Sequence, residues 1–169
     1  MAKKIILGSV FILIAALLQS TVLSRLTLNI RVVPDITLCI LVFLAYTNGT
    51  MTGQLTGFFS GVILDFLSFA PLGLNAFIRT IIGAVCGFLK DTFFLDAFFL
   101  PMALCAGATV IKALLFLLLH LVFPQIVPSY TLFGFTFLIE LGMNTLLAPL
   151  LFAFLKLFKF LVPRQREGI

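Results

Sequence analysis

Between Gly53 and Gly87, two apolar stretches each place a small or polar residue at every fourth position. The first carries Gly53, Gly57, Gly61 and Asp65, and the second Asn75, Arg79, Gly83 and Gly87. Residues four apart share one face of a helix, so each stretch reads as a helix with a narrow stripe of small and polar groups. The turn Phe69-Ala70-Pro71-Leu72-Gly73 lies between them and folds them antiparallel. In lipid, helices meet along small residues, because lipid tails surround Leu and Phe as well as protein does. This pattern restricts the chain to a tightly crossed helical hairpin, with the rest of the sequence arranged in support of it.

Hydrophobic residues make up 62% of the 169 and charged residues 10%, where a soluble domain carries about a quarter charged. With a mean hydropathy of +1.27, the chain reads as a single all-α transmembrane domain over residues 1–169. At about 20 residues per span there is room for six helices. They are expected at 5–24, 34–47, 51–68, 72–89, 101–123 and 131–155. No stretch is polar enough for a second domain, and no tandem repeat is present. Lys3 and Lys4 precede an apolar run that lacks an Ala-x-Ala cleavage pattern, so the first span is read as uncleaved. Pro34 opens the second span and Asp35 favours the positive end of its dipole. That span is short for a core about 30 Å thick. Arg25 to Val33 and Thr92 to Leu100 read as interfacial segments, and Pro149 is expected to kink the last helix.

The net charge of +5 has an ordinary explanation in membrane proteins, whose Lys and Arg collect on the cytoplasmic side. With both termini inside, Lys3, Lys4, Lys90, Lys156, Lys159, Arg164 and Arg166 lie on that side and only Arg25 and Arg31 on the other. No basic stripe with interleaved aromatics points to nucleic acid. Cys39, Cys86 and Cys105 lack metal or disulfide spacing and read as small buried hydrophobes. His120 is the one histidine, and no cofactor, metal or catalytic set is expected.

Asp65, Arg79, Lys112 and Glu140 fall inside expected spans, where charge is costly. Two acids and two bases sum to zero, which favours pairing over a transport or proton pathway. Helical rise from the loop between the last two spans puts Lys112 and Glu140 at equal depth near the midplane, so they should pair, directly or through Asn144 or water. Asp65 and Arg79 lie on their stripes near the turn and are expected to meet, with Gly57 and Gly61 at the closest approach. Two other arrangements stay open. Arg79 meets a partner's carboxylate or an anionic ligand and leaves Asp65 to Asn75, or Asp65 caps the turn through Ser68 or backbone amides. The candidate structural or partner-contact residues are Asp65, Arg79, Asn75, Gly53, Gly57, Gly61, Pro71, Gly73, Lys112 and Glu140.

Leu17-Leu18-Gln19-Ser20-Thr21, Val33-Pro34-Asp35 and above all the run from Gly53 to Asn75, with Leu-Asp-x-Leu-Ser followed by Pro-Leu-Gly-Leu-Asn, resemble the MreD family of rod shape-determining membrane proteins. The resemblance covers nearly the whole chain. It implies a non-enzymatic membrane scaffold of the bacterial cell-wall elongation machinery, in the inner membrane. The implied partners are a MreC-like protein and, more widely, MreB, RodA and its transpeptidase. It also implies a six-helix fold similar to the S components of energy-coupling-factor transporters. The alternative is a substrate-binding subunit of a small-molecule transporter, with a polar cavity near Asp65, Arg79 and Asn75. The first helix offers Ala15-Ala16 without the Ala-x-x-x-Ala surface of such subunits.

Overall fold

A computed structural model of the chain describes residues 2–19, 33–68, 71–90, 92, 98–127, 134–158 and 161. Lipid offers the backbone no hydrogen-bond partners, so an apolar chain satisfies its amides by forming helices. Six α-helices are present among the described residues: α1 (Ala2–Leu18), α2 (Ile36–Asn48), α3 (Thr50–Leu67), α4 (Leu74–Phe88), α5 (Phe99–Val122) and α6 (Phe135–Lys156). Two of them, α5 and α6, are long and apolar enough to cross a membrane. α6 continues through Pro149 to Lys156. The expected interfacial segments and the basic tail fall mainly at residues 25–32, 93–97 and 162–169, outside the described residues.

The helix at the centre is α2, and not the glycine hairpin from which the sequence reading starts. Thr37 to Ala45 are all buried, and α2 packs against each of the other five helices. A helix that is apolar on every side has no face suited to water, so it sits where protein surrounds it. Phe43 is fully buried and meets Phe152 of α6 edge to face, with ring centroids 5.2 Å apart. Gly49, at φ +92°, joins α2 directly to α3. A left-handed residue at this one-residue connection is at little cost only if it is glycine. At the same end Asn48 Nδ2 donates to the Leu161 carbonyl at 2.8 Å.

The hairpin itself is the tightest seam in the bundle. A methyl group built on Gly53 would overlap the carbonyl of Gly83, one on Gly57 the carbonyl of Arg79, and one on Gly61 the backbone of Ala76. The partners run in opposite order along the two helices, so α3 and α4 are antiparallel and touch backbone to backbone. The opposite faces expose Phe58, Phe59, Phe66, Phe77 and Phe88. Small residues inward and phenylalanines outward is the arrangement that favours helix contact in lipid, where packing rather than water exclusion holds helices together.

Candidate functional site: a buried ion cluster

The first turn of α2 positions the cluster. Asp35 is its N-cap residue, and Oδ1 accepts from the Leu38 amide at 2.9 Å and from the Thr37 hydroxyl at 2.8 Å. The carboxylate thereby meets amides that have no partner inside the helix, at the positive end of the dipole. Arg79 Nη2, from α4, donates to Oδ1 at 2.8 Å and to Oδ2 at 3.0 Å. Lys112 Nζ, from α5, donates to Oδ2 at 2.8 Å and to Glu140 Oε1 of α6 at 2.6 Å. The Asp35 amide donates to Asn144 Oδ1 at 2.8 Å, and Asn144 Nδ2 donates to Thr109 Oγ1 at 3.0 Å. Four helices thus converge on Asp35, α4 and α5 at its carboxylate and α6 at its amide.

Asp35, Arg79, Glu140 and Asn144 are buried, and the Lys112 side chain is nearly so. Isolated charges in such a place are expensive, whereas mutually hydrogen-bonded charges are tolerated. Two cations and two anions leave the cluster neutral. Lys112 lies near the middle of α5, so α2 begins at mid-depth of the bundle. Its 13 residues rise about 20 Å, which is why this stretch is too short to cross a bilayer by itself.

Lys112 and Glu140 meet as expected, and Asn144 joins them by way of Asp35. The expected contact between Asp65 and Arg79 does not form. Arg79 turns to Asp35, and Asp65 instead caps α4. Its carboxylate accepts from the amides of Gly73 at 2.9 Å, Asn75 at 2.9 Å and Ala76 at 3.2 Å, and from Asn75 Nδ2 at 3.0 Å. The physical reason is proximity. The free amides of the first turn of α4 lie directly opposite Asp65, α4 has no side-chain cap of its own, and Arg79 finds a carboxylate deeper in the bundle. Gly73 stands at φ +94° with open space around it, so its role is conformational. Pro71 precedes it, and its carbonyl accepts from the Leu74 amide at 3.2 Å. Gly53, Gly57 and Gly61 lie in the α3–α4 seam described above. The residues that sequence reasoning placed elsewhere are Asp35, read as a helix start at the interface, and Thr37 and Thr109, which were not singled out.

The cysteines are buried and free, and His120 Nδ1 lies 2.7 Å from the Val127 carbonyl. Among the described residues no group of three His, Cys, Asp or Glu side chains could hold a metal ion.

Two predictions arise here. Asp65→Ala leaves three amides at the start of α4 without their acceptor and is expected to cost about 1–3 kcal/mol. Asp65→Asn, which keeps an acceptor, is expected to cost less, as read from thermal midpoints of the purified protein. The second concerns Lys112→Met and Glu140→Gln. Each alone leaves a buried charge short of a partner, so the double variant should be less destabilised than the two single losses combined. A coupling of about 0.5–3 kcal/mol is expected from a cycle on folded abundance; additive losses would reject the pairing.

The fold and the cluster together define a helical bundle with apolar outer faces, whose buried charges are consumed in tying helices to one another. The family model for rod shape-determining protein MreD matches residues 2–158, nearly the whole chain. The chain belongs to that family, which places it among membrane proteins of rod-shape determination. No curated protein and no solved structure matches it.

Proposed function

We propose that this protein is a non-enzymatic membrane scaffold of the cell-wall elongation machinery. In this reading it receives the transmembrane helix of a MreC-like partner within a wider complex of MreB, RodA and its transpeptidase. The observation that carries the reading is the family match over residues 2–158. The architecture supports it in two ways. The connections between helices are too short to fold as a docking domain, so recognition falls to helix faces, interfacial segments and termini. The buried charges bind one another across α2, α4, α5 and α6, as suits a rigid platform better than a path for a moving ion or solute.

All six helices belong to one transmembrane domain in this proposal, with the short α2 enclosed by the other five, in an arrangement similar to the S components of energy-coupling-factor transporters. Both termini face the cytoplasm of the inner membrane, as the distribution of Lys and Arg favours. Depletion tests the role: rods should become spheres, whereas a nutrient-specific auxotrophy would favour the transporter subunit. Purification in gentle detergent tests the partner. A single-span periplasmic protein should accompany the chain. No such association, with rod growth unaffected by deletion, would sink the scaffold reading.

A further inference from the structure

The ion cluster divides into two neutral pairs that sit on different parts of the bundle. Asp35 and Arg79 join α2 to α4, whereas Lys112 and Glu140 join α5 to α6. Asn144 Nδ2, donating to Thr109 Oγ1, adds a second tie between α5 and α6. The bond from Lys112 Nζ to Asp35 Oδ2 and the bond from the Asp35 amide to Asn144 run between the two parts. Both can break without stranding a charge away from its counter-charge, which is the costly event in an apolar place. Arg79 is suited to such an exchange. Its Nη2 alone serves both Asp35 oxygens, and its Nη1 is buried without a hydrogen-bond partner. A guanidinium commonly grips a carboxylate with two nitrogens, so Arg79 has a spare donor for the oxygen that Lys112 would vacate.

Packing sets where the parts separate. The buried residues of α5 run from Pro101 to Ala113, and none of residues 114–122 is buried. Within the packed stretch Cys105 lies against Cys39 of α2. Further toward the end where α2 stops, Phe152 of α6 meets Phe43. Lys112 therefore ends the tightly held part of α5, and the rest of that helix runs on past the start of α2. Nor does α5 seat closely on α4, since a gap of about 220 Å³ lies between Val85, Cys86 and Leu89 on one side and Leu104 and Ile111 on the other. We propose that α5 and α6 form a hinged arm, latched by the bond from Lys112 to Asp35. The arm swings away from α2 and α4 at the end where α5 stops, with its pivot near Phe43 and Phe152. The open form is a minor state of a two-state hinge, each part being rigid in itself.

Distances between spin labels measure the swing directly in full-length protein reconstituted in phosphatidylcholine vesicles. One labelled pair is Leu72→Cys with Leu121→Cys, at the end where α4 starts and α5 stops. The other is Phe88→Cys with Leu157→Cys, at the opposite end. All four positions are exposed. The native cysteines are buried and are replaced by alanine; should that background fail to fold, they stay in place and doubly labelled protein is selected by mass. Double electron–electron resonance should show a second, longer distance for the first pair only. Lys112→Met with Glu140→Gln removes the latch and keeps the arm neutral. The share of the longer distance should then rise about tenfold, as expected for the loss of a hydrogen bond to a charged group. Glu140→Gln alone should lower that share below the parent's, because the arm would carry Lys112 away from its remaining counter-charge. A general loosening of the bundle would raise the share in both variants, and that result overturns the proposal. So does a single distance for the first pair in parent and double variant alike, or an equal spread of distances in both pairs.

Discussion

Asp35→Asn is expected to remove most of the folded protein from the membrane. Asparagine is as good an N-cap as aspartate, so the start of α2 keeps its acceptor for Leu38 and Thr37. What disappears is one negative charge, leaving Arg79 and Lys112 with Glu140 alone. Breaking a buried ion pair from one side costs about 3–5 kcal/mol, a large share of a total stability of about 5–15 kcal/mol. The loss should show as reduced monodisperse protein on size exclusion and a lowered thermal midpoint. A second substitution, Arg79→Met, restores neutrality, because Lys112 and Glu140 then balance. The double variant should recover part of the loss. If it is instead as unstable as the two single losses combined, charge balance is not what holds the four helices together.

Gly57→Leu is expected to be nearly as damaging, for a different reason. The added side chain would occupy the place of the Arg79 carbonyl, and backbone in mid-helix cannot turn aside as a side chain can. α3 and α4 must separate, which also draws Arg79 away from Asp35. Overpacking of cores costs about 1–3 kcal/mol, and a backbone contact belongs at the upper end or beyond. Gly107→Leu and Gly142→Leu are the matched controls, since a methyl group at either meets nothing within 4 Å. Their folded abundance should stay within about 0.5 kcal/mol of the parent. Equal loss in all three variants would show that glycine matters here for some reason other than the close crossing.

The glycine seam was legible in the sequence because fourfold spacing is a property of a single helix, and a helix needs no neighbour to display its faces. The pairing of Lys112 with Glu140 was legible because both depths can be counted from one loop. Asp35 was not. Pro34-Asp35 has the chemistry of a helix start, and that chemistry is the same at a membrane surface as in the middle of a bundle. Its depth depends on α2 being enclosed on all sides, which is a tertiary fact. The signal available was length: a helix of about 20 Å cannot cross a 30 Å core, so one end had to lie inside. Asp65 was misassigned because charge pairing was weighed between side chains. The nearer partners were peptide amides at the start of α4, an arrangement the sequence left open beside the ion pair.

The placement of the cluster's four charges along the chain bears on how the protein is made. Asp35 and Arg79 both belong to the first four helices, and Lys112 and Glu140 both belong to the last two. A polypeptide leaves the ribosome N-terminus first, so the earlier part holds an acid and a base that satisfy each other before the later part exists. The last two helices then arrive with their own matched acid and base, already side by side. Neither half of the cluster has to wait in lipid without its counter-charge. The bond from Lys112 to Asp35 is the one that requires both, so it marks the completion of the molecule.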